Sequence, residues 1–444
     1  MERTLIKDLK NCIGKTVAVK GFAQAIRIQS KIIFIVIRDI TGTVQTVFTA
    51  ENDVDGFEFA QHVTLESVLR IEGMVKEEKN APGGFEIQSK KIVLLGEKAK
   101  ELPIPEIVKG NDEETEAPKR FDYRWLDLRK PEKVKIFRVW TEFEKGWRRY
   151  WDENDFIQLY PPAFMSTPSE SGAEVFEVNY FDRKAYLAQS PQFYKQMAMA
   201  AGFEKVFMVS PVFRAEESFT TRHITEFTGW DFEISYIENH HDVMDAEEEM
   251  IIAGFEQLLK VFPDLNITVP VRPFPRISMV ETKKILKSLD ISSSEPARTT
   301  DVVQSGGEHD LSPEEERAMS DYVLKEYGHE FVFITDYHKS KSAFYHMRLE
   351  EGSDRSRRAD LLYRGIEVTT LAQREHRIEI LEKQAKEKGM DLETLKDYLN
   401  FFRYGCPPHG GAGIGPGRFI MKILGLSNIR EATFIPRDVK RLNP

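Results

Sequence analysis

A glycine-rich run between Tyr404 and Arg418 carries residue types suited to phosphate binding. Its centre, Gly413-Ile414-Gly415, is followed by Arg418 and then by an apolar stretch, Phe419–Leu424, that is predicted to be helical. Glycines let the backbone approach a ligand closely. Arginine offers a planar fork of donors that matches phosphate oxygens. A lone Gly-x-Gly is weak evidence, so this interpretation needs support from other parts of the chain.

A second group of charged residues lies where two predicted strands meet a polar loop. Apolar residues 206–213 lead into the loop and the alternating run 227–237 leads out, which predicts an antiparallel hairpin with a loop of about eight residues. A solvated hairpin tip is the alternative interpretation. However, the charges continue into the strands beside aromatic residues, which favours a functional site. The charged residues are Arg214, Glu216, Arg222, His223, Glu226, Asp231 and Glu233.

Two carboxylates form a third candidate group. Asp360 and Glu367 flank a predicted turn at Arg364-Gly365 within the strand pair 358–370. Both could face one cation across the hairpin. Two carboxylates alone are weak evidence for a metal site, because a metal bound to a nucleotide also takes phosphate oxygens.

The elements that must position these residues begin with an N-terminal run of short alternating strands. A helical segment, residues 54–63, falls between the third and fourth strands, an order that predicts an OB-fold barrel. Such barrels bind single-stranded nucleic acid by stacking bases on aromatic residues in a basic groove. Phe34 and Phe22 are candidate stacking residues. The predicted strands are Thr16–Phe22, Ile32–Arg38, Gly42–Phe48, Val68–Val75 and Phe85–Leu94.

The rest of the chain predicts a larger mixed domain. An aromatic stripe at helical spacing over residues 132–154 is followed by a strand that stops at Pro161-Pro162. A long amphipathic helix is expected over 241–262. Residues 276–330 are expected to form a small helical insertion without chemistry, and residues 376–403 to form two solvated helices.

Composition excludes several classes of protein. With 444 residues, 41% hydrophobic and 30% charged, the chain is predicted to be an ordinary globular protein of two or three domains. The sequence contains no run of 18 apolar residues, so no membrane-spanning helix is predicted. The net charge of −10 argues against bulk nucleic-acid binding, yet residues 1–38 hold eight Lys or Arg against two acidic residues. That basic face could bind a polyanion locally. Cys12 and Cys406 indicate a reducing, cytoplasmic environment without a disulfide framework.

The charged hairpin resembles motif 2 of the class II aminoacyl-tRNA synthetases, in the wording of the aspartyl and asparaginyl members. The strings that carry the resemblance are Phe-Arg-Ala-Glu at 213–216, Thr-Arg-His at 221–223 and Thr-Glu-Phe-Thr at 225–228. Residues of about 132–165 resemble motif 1, those of about 206–237 motif 2, and those of about 404–424, with Gly413-Ile414-Gly415 and Arg418, motif 3. Gln189-Ser-Pro-Gln192 with Lys195 is typical of aspartyl members, and residues 434–444 resemble their archaeal and eukaryotic branch.

This resemblance covers nearly the whole chain and implies an α+β fold. Residues 1–100 would be an OB-fold anticodon-binding domain, 101–130 a linker, and 131–444 a class II catalytic domain with an antiparallel sheet flanked by helices. The implied reaction is the ATP-dependent activation of L-aspartate, with Mg²⁺, and its transfer to tRNA. The implied assembly is a homodimer formed through motif 1.

The resemblance also implies an ATP site. Arg214 would hold the α-phosphate and Arg418 the γ-phosphate, so these two residues would be the catalytic ones. Phe227 would stack under the adenine. The implied ATP-binding residues are Arg214, Glu216, Arg222, His223, Phe227, Glu367, Gly415 and Arg418.

An aspartate pocket and a metal site are implied in the same way. Lys195 would contact the aspartate side chain, Arg374 would clamp the substrate carboxylate and Asp231 would take the amino group. The chain departs from the family wording at Ser171 in a lid loop, at Leu371 in the pocket floor and at Gly417 in motif 3. The implied aspartate-binding residues are Glu170, Gln192, Lys195, Asp231, Thr370 and Arg374, and the implied magnesium ligands are Asp360 and Glu367.

On the barrel, the resemblance places Phe34 at the uridine-stacking position and Gln45 at the base-reading position. Archaeal-type enzymes that accept only the aspartate tRNA guard the third anticodon base with a Trp and a Lys. Gln24 and Pro82 stand at those positions here. The loss of both guards predicts a non-discriminating enzyme that charges tRNA(Asp) and tRNA(Asn), with an amidotransferase to convert the misacylated product.

Four alternatives remain. A discriminating aspartyl enzyme would have the same catalytic residues. An asparaginyl-tRNA synthetase is disfavoured by Gln189-Ser-Pro-Gln192 and Lys195, and a tRNA-independent asparagine synthetase by the presence of residues 1–100. A non-enzymatic OB-fold paralogue would be expected to lack the charged residues of motifs 2 and 3.

Overall fold

The structure is a computed structural model that describes residues 1–444 except residue 52 and residues 106–113, 170–174 and 292–308. The chain divides into two compact units, Met1–Val134 and Lys135–Pro444. Each unit has its own hydrophobic core. Among the described residues, no helix has both the length and the apolar character needed to cross a membrane.

The first unit contains a closed five-stranded barrel with the strand order β1-β2-β3-β5-β4. Inward-facing Ile33, Ile35 and Ile37 are fully buried, because side chains alternate between the two faces of a strand. The barrel, with a helix between its third and fourth strands, confirms the predicted OB-fold. Its elements are β1 (Thr16–Ile28), β2 (Ile32–Asp39), β3 (Gly42–Thr49), α1 (Val54–Gln61), β4 (Val68–Glu77) and β5 (Phe85–Leu94), followed by α2 (Ala117–Asp122) and α3 (Arg124–Asp127).

Strand β1 is longer than predicted and is irregular. The register with β2 shifts between Ala23 and Ala25, which leaves Gln24 as the extra residue of a β-bulge. A bulge inserts one residue into the ladder and bends the strand. Beyond the bulge, the residues that face inward are shifted by one position, so the regular alternation ends near Phe22. The predicted strand therefore ended there.

The second unit is built on an eight-stranded sheet with the order β12-β13-β14-β15-β16-β11-β10-β6, beside a small sheet β7-β9-β8. Helices pack on this sheet, which confirms the predicted α+β fold. The strands are β6 (Ile157–Gln158), β7 (Phe164–Met165), β8 (Glu177–Tyr180), β9 (Arg183–Leu187), β10 (Lys205–Phe213), β11 (Glu226–Ser235), β12 (Arg276–Ser278), β13 (Phe331–Thr335), β14 (Arg358–Tyr363), β15 (Ile366–Arg374) and β16 (His409–Ile414). The helices are α4 (Pro131–Glu153), α5 (Gln192–Ala200), α6 (His240–Val261), α7 (Met279–Ser288), α8 (Pro313–Tyr327), α9 (Ile378–Glu387), α10 (Lys396–Phe402) and α11 (Pro416–Ile423).

The aromatic stripe of α4 forms the centre of the core. Trp147 and Trp151 are fully buried, and Trp151 stacks on Phe207 of β10 with ring centroids 4.1 Å apart. Helix α6 packs closely against α4, since a Cβ at Gly146 would lie 2.4 Å from the carbonyl oxygen of Ala253. These two helices pack against one face of the sheet, and this close packing holds the strands that carry the charged residues rigidly.

Helix α10 differs from the prediction of two solvated helices in residues 376–403. Its Tyr398, Leu399 and Phe402 are buried, and the ring of Tyr398 stacks on Phe193 of α5 with centroids 4.0 Å apart. The polar residues between them are the ones that reach solvent. A short helix has few periodic positions, which hid its apolar face in the sequence.

Glu247 of α6 is a fully buried carboxyl group whose charged neighbours, Glu248 and Asp360, are also acidic. Burial raises its pKa to about 8, and the neighbouring Glu248 and Asp360 act in the same direction. Because a glutamate in the unfolded chain has an ordinary pKa of 4.5, folding takes up a proton between pH 4.5 and about 8. Stability from this group is therefore complete below about pH 4.5 and is lost as the pH rises towards 8.

The Glu247→Gln variant should therefore be more stable than the parent at neutral pH. Glutamine is neutral in both states, so the variant avoids a penalty of up to ~3 kcal/mol at pH 7 and only ~1 kcal/mol at pH 5. Denaturant unfolding at the two pH values measures the difference. Glu256→Gln, at an exposed position of the same helix, is the control. An equal effect of Glu247→Gln at both pH values would contradict the prediction.

Candidate active site

A cavity of about 920 Å³ lies where the β10–β11 hairpin, β15 and the β16–α11 junction meet. Its wall includes Gln192, Asp231, Thr370 and Arg374 of the residues predicted to bind aspartate. Glu170 lies outside the described residues. The wall also includes the whole set predicted to bind ATP, namely Arg214, Glu216, Arg222, His223, Phe227, Glu367, Gly415 and Arg418.

Two cations and two carboxylates form a buried ion cluster at one end of the cavity. Lys195 Nζ lies 2.7 Å from Asp231 Oδ2 and 3.4 Å from Glu233 Oε2, and it donates to the Ala412 carbonyl at 3.0 Å. Arg374 Nε donates to Glu233 Oε1 at 2.9 Å. None of the four charged residues is more than 4% exposed. Charges this deeply buried are stable only when they are paired and hydrogen-bonded.

Glu233 is the centre of this cluster; the sequence analysis grouped it with the charged residues of the hairpin but assigned it no specific binding role. Burial alone would raise its pKa, but Arg374 and Lys195 together hold the pKa below its ordinary value, so the carboxylate is charged. The signal was present in the sequence, since Asp231 and Glu233 are two residues apart and lie on the same face of β11. Space for this carboxylate depends on Gly411 of β16, where a Cβ would lie 2.3 Å from Glu233 Oε2.

A chain of neutral polar groups lies behind Gln192. Gln192 Nε2 donates to Gln196 Oε1 at 3.1 Å, and Gln196 Nε2 lies 3.1 Å from His409 Nε2. Burial lowers the pKa of His409 to about 4, so the ring is neutral. His409 Nδ1 lies 2.8 Å from the Pro407 carbonyl, which makes Nδ1 the donor and Nε2 the acceptor. This order of donors and acceptors fixes the orientation of the Gln192 amide.

A β-bulge in β15 brings Glu367 to the cavity. Thr369 pairs with Leu361 and Glu367 with Leu362, so Val368 is the extra residue in the ladder. The bulge puts the Glu367 side chain on the same face as Thr370, whose Oγ1 donates to Glu367 Oε1 at 3.2 Å. Arg418 Nη1 approaches the same oxygen at 3.5 Å. Without the bulge, Glu367 would point to the opposite side of the sheet.

The β10–β11 loop runs from Arg214 to Thr225 and is longer than predicted. The guanidinium of Arg214 lies over the ring of Phe227, 5.7 Å from its centroid. His223 Nδ1 lies 2.7 Å from Thr220 Oγ1. Burial, together with the neighbouring Arg418, lowers the pKa of His223 to about 3, so this histidine is neutral at physiological pH. It can therefore offer a hydrogen bond to a ligand but not a charge.

A C-terminal strap, residues 429–441, holds this loop in place. Arg430 Nη1 donates to the Thr220 carbonyl at 2.7 Å, and the Thr225 amide donates to the Arg437 carbonyl at 2.9 Å. These bonds satisfy backbone groups that a long loop would otherwise leave to water. The strap thus fixes both ends of the segment that carries Arg222 and His223.

Glu316 of α8 is a second residue that sequence reasoning missed. Arg222 Nη1 donates to Glu316 Oε1 at 2.8 Å and to Oε2 at 2.7 Å, and Oε2 also accepts the Glu367 amide at 3.1 Å. The expectation that residues 276–330 carry no chemistry is therefore wrong for α8. No local pattern indicates this pairing, because Glu316 and Arg222 are 94 residues apart in the chain.

Removing the charge at Glu316 should weaken ATP binding. Its carboxylate is 4% exposed and ties Arg222 to the Glu367 backbone, and charge-assisted hydrogen bonds of this kind are the stronger ones. We expect Glu316→Gln to raise KM for ATP about tenfold with little change in kcat or in KM for the amino acid. Steady-state ATP–pyrophosphate exchange measures all three.

Two further variants test whether this effect passes through Arg222. Glu314→Gln, on an exposed position of the same helix, should leave KM for ATP unchanged. The double variant Arg222→Gln/Glu316→Gln should lose no more ATP affinity than Arg222→Gln alone, because the two residues act as one unit. A lower KM for ATP in Glu316→Gln would instead mean that the carboxylate competes with phosphate.

The predicted metal ligands fit a metal ion unequally. Glu367 faces the cavity, but Asp360 is 3% exposed and is not on the cavity wall. Both oxygens of Asp360 are bound by Arg358, with Nε to Oδ1 at 3.1 Å and Nη2 to Oδ2 at 2.7 Å. Within the described part of the chain, no group of three or more His, Cys, Asp or Glu residues could hold a metal ion. Glu367 is therefore the carboxylate that fits.

The three residues that differ from the family motifs lie in different parts of the chain. Leu371 is fully buried in the hydrophobic core under the sheet, so it does not form the pocket floor. Gly417 lies on the cavity wall, where a Cβ would meet Trp140 Cζ2 at an ordinary 3.6 Å. Ser171 lies outside the described residues. Only the Gly417 departure is therefore seen to change the shape of the cavity, by leaving it more open beside Trp140.

On the barrel, Gln45 and Phe34 lie on one outer face together with Arg27. Arg27 Nη2 donates to Gln45 Oε1 at 2.7 Å, and its guanidinium lies 5.3 Å from the centroid of the Phe34 ring. Gln45 Nε2 donates to Glu86 Oε2 at 3.0 Å. The carboxamide of Gln45 is therefore held in one orientation, and it is 6% exposed with both of its ends bonded to protein groups. The other candidate aromatic residue, Phe22, packs against two arginine side chains.

The remaining barrel residues singled out from the sequence lie at irregular points of the backbone. Gln24 is the bulged residue of β1, and Pro82 begins an exposed 3₁₀ turn, Pro82–Gly84, before β5. Both positions can be substituted without disturbing a regular ladder.

Comparisons with known proteins agree over the whole length. A family described as "tRNA synthetases class II (D, K and N)" matches residues 116–439, and one described as "OB-fold nucleic acid binding domain" matches residues 17–95. An aspartate–tRNA(Asp/Asn) ligase of Aeropyrum pernix is 38% identical, covering 99% of this chain and 98% of the relative. An aspartate–tRNA(Asp) ligase of Pyrococcus furiosus is 37% identical, covering 97% of each. The crystal structure of asparaginyl-tRNA synthetase from Pyrococcus horikoshii complexed with asparaginyl-adenylate has a TM-score of 0.89 at 31% identity, covering 100% of both chains.

Proposed function

Because this chain belongs to the class II tRNA synthetases of the aspartate, lysine and asparagine group, and within it to the aspartyl-tRNA synthetase family of ligases, we propose that it activates L-aspartate with ATP and transfers it to both tRNA(Asp) and tRNA(Asn). The observation that carries the choice of aspartate is the buried pair of cations, Lys195 and Arg374, which in this structure are paired with Asp231 and Glu233. When Asp231 takes the amino group of the substrate, an anionic side chain would replace it as the partner of Lys195, and a neutral amide would not.

In the first step, the α-carboxylate of aspartate attacks the α-phosphorus of ATP, the bond to the bridging oxygen breaks, and pyrophosphate leaves. The carboxylate is already ionised, so the protein need not supply a general base. Its contribution is positioning and the stabilisation of charge on the phosphoryl oxygens. Arg214 would contact the α-phosphate, Arg418 the γ-phosphate, and Phe227 would stack under the adenine.

In the second step, the tRNA 3′-terminal hydroxyl attacks the activated carbonyl, the bond between the carbonyl carbon and the phosphate oxygen breaks, and AMP leaves while the hydroxyl proton passes to its phosphate. Before this, in the first step, Glu216 and His223 would keep ATP bent, and Gly415 would let the backbone approach it. Mg²⁺ would screen the phosphate charges, and Glu367 is the carboxylate of this chain that would hold it.

Discrimination against asparagine follows from the charge of the cluster. Lys195 and Arg374 are almost completely buried, and Lys195 would lose Asp231 to the amino group of the substrate, so a neutral substrate side chain would leave this cation poorly compensated. Breaking such a buried pair costs about 3–5 kcal/mol, or roughly 10²-fold to several 10³-fold in specificity. Asp231 would bind the amino group and Gln192 and Thr370 would orient the backbone of the amino acid; Glu170 would act from the lid loop.

The relaxed tRNA specificity is supported by the barrel rather than by the relatives. Gln24 and Pro82 replace the two guard residues, while the relatives at 38% and 37% identity carry names of both kinds. Phe34 would stack on an anticodon base and Gln45 would read one. Aspartyl-tRNA(Asn) made in this way would require a tRNA-dependent amidotransferase as a partner in the cell.

We further propose a homodimer formed through motif 1, in a reducing cytoplasm. Strand β6 lies at the edge of the eight-stranded sheet, and Ile157 and Tyr160 beside it are 45% and 79% exposed. An exposed edge with apolar side chains is a surface that a second copy could cover. Cys12 and Cys406 are both unbridged thiols, which suits a reducing compartment.

The first experiment is ATP–pyrophosphate exchange with aspartate and with asparagine. Exchange that depends on aspartate, with asparagine at least several hundredfold weaker, is expected. The second candidate is an asparaginyl-tRNA synthetase, favoured by the structural likeness to the Pyrococcus horikoshii enzyme. Exchange that depends on asparagine would establish that candidate and exclude ours.

The tRNA specificity is tested by charging transcripts of both tRNAs with aspartate. We expect comparable efficiencies for the parent, and a loss of at least tenfold for tRNA(Asn) alone in Gln24→Trp/Pro82→Lys. Ile28→Trp, which adds an indole at an exposed position of the same strand, is the control. A parent enzyme that already prefers tRNA(Asp) by several orders of magnitude would contradict the proposed relaxed specificity.

A further inference from the structure

The side chain between Asp360 and the cavity is that of Arg358, two residues earlier on the same face of β14. Its guanidinium meets the carboxylate as a fork, with one nitrogen on each oxygen, at 3.1 Å and 2.7 Å. Among the described residues Arg358 lies on the cavity wall, whereas Asp360 does not. An ion in the cavity would therefore meet Arg358 before it could reach Asp360.

Arg358 is fixed from several sides. Its guanidinium lies over the ring of Tyr337, 4.3 Å from the centroid, and Tyr337 is only 2% exposed. Its third donor nitrogen, Nη1, is bound to the carbonyl oxygen of Lys341. All three nitrogen atoms of the guanidinium thus have acceptors, and the aromatic ring supports its flat face.

Glu367 has the opposite character. It borders the cavity, and its carboxylate is approached by Thr370 Oγ1 at 3.2 Å and by Arg418 Nη1 at 3.5 Å, with only one oxygen engaged by both. Mg²⁺ at nucleotide sites is held by one or two carboxylates together with phosphate oxygens. Glu367 alone can therefore hold Mg²⁺ when phosphate oxygens of the nucleotide supply further ligands. Without the nucleotide, one carboxylate provides too few ligands.

We propose that Arg358 takes the place of a metal ion at Asp360: it is a built-in cation that withholds this carboxylate from divalent metal, so that metal binding in the cavity depends on Glu367 and on the nucleotide. For a metal ion to use Asp360, the guanidinium would have to give up both of its bonds to the carboxylate, and breaking a largely buried ion pair is strongly unfavourable. The positive charge of Arg358 is present whatever the concentration of free metal. This inference rests on the proposed function, because the metal concerned is the one that accompanies ATP.

The test is a Mn²⁺ titration followed by electron paramagnetic resonance, with and without a non-hydrolysable ATP analogue. For the parent we expect Mn²⁺ binding only with the analogue. Glu367→Gln should weaken that binding at least tenfold. The charge-balanced variant Arg358→Gln/Asp360→Asn should bind Mn²⁺ with the analogue within threefold of the parent, because neither residue is a metal ligand.

The single variant Arg358→Gln exposes the carboxylate and supplies the converse result. It should bind Mn²⁺ without nucleotide at least tenfold more tightly than the parent does. The control for the double variant Arg358→Gln/Asp360→Asn is Lys339→Gln/Asp354→Asn, which also removes two charges, from an exposed ion pair of the same unit. Thermal unfolding of each variant establishes that it is folded.

Two outcomes would overturn the inference. One is a loss of Mn²⁺ affinity in Arg358→Gln/Asp360→Asn as large as that in Glu367→Gln. The other is tight, nucleotide-independent Mn²⁺ binding by the parent that Asp360→Asn abolishes. Because these titrations use no amino acid, they remain decisive even if aspartate-dependent exchange fails, and such a failure would reject the proposed function alone.

Discussion

Lys195→Met should lower kcat/KM for aspartate by about 10³-fold or more in ATP–pyrophosphate exchange. The variant removes one of the two buried cations that would pair with the substrate side chain, and it leaves Asp231 facing the pocket without its partner at 2.7 Å. An anionic ligand is then repelled where it was attracted, and the loss combines a missing charge-assisted hydrogen bond with an unpaired buried charge. The preference for aspartate over asparagine should fall with it.

The affinity for ATP should change far less, because the cation cluster lies away from Arg214 and Arg418. The fluorescence of Trp140, which lies on the cavity wall, offers a direct measure of nucleotide binding. Lys184→Met replaces an exposed lysine and should have no effect on either substrate. If Lys195→Met kept its aspartate kcat/KM within tenfold of the parent, the assignment of the aspartate side chain to this cluster would be wrong.

Glu233→Gln should destabilise the second unit by about 3–5 kcal/mol. The substitution keeps the shape of the side chain but leaves Arg374 and Lys195 with one carboxylate between them, in a region where Glu233 is fully buried. Urea unfolding monitored by tryptophan fluorescence is a suitable measurement, since Trp147, Trp151 and Trp230 are buried in this unit. Glu226→Gln, at an exposed position of the same strand, should change stability by less than about 0.5 kcal/mol.

The pH dependence provides an independent check on this residue. The pKa of Glu233 is held below its ordinary value by Arg374 and Lys195, against the effect of burial. A depressed acid pKa contributes stability above the unfolded value of 4.5, and this contribution is lost as the pH falls through the folded value. The difference between parent and variant should therefore be constant from pH 6 to 8 and shrink below about pH 4.5. A difference that grows in acid would show that Glu233 is not the charged centre of the cluster.

Local patterns predicted much of the fold. Alternating residues located every barrel strand, and the aromatic spacing located α4, because burial of one face is the dominant constraint on such segments. The end of β1 was misplaced where its register is irregular, and the β10–β11 loop was predicted too short although both flanking strands were located. A bulge changes the pairing without changing the composition, so neither the one at Gln24 nor the one at Val368 could be seen in the sequence.

The candidate site was also predicted in part. The resemblance singled out Arg214, Arg418, Lys195 and Arg374, and all of them lie at the cavity or directly behind its wall. It did not indicate which residues form ion pairs and hydrogen bonds with them. The partners of these residues come from distant segments, and pairing between segments depends on tertiary packing that local sequence does not encode.

The C-terminal strap has a consequence for the order in which the protein is made. Arg430 and Thr220 are 210 residues apart, so the loop that carries Arg222 and His223 emerges from the ribosome long before the segment that fastens it. Domains begin to fold during synthesis, from the N-terminus onwards. The sheet is also completed late, because β16, residues 409–414, joins β15 to β11 in its middle. The fold of the second unit and the nucleotide site would therefore be completed almost together, at the end of synthesis.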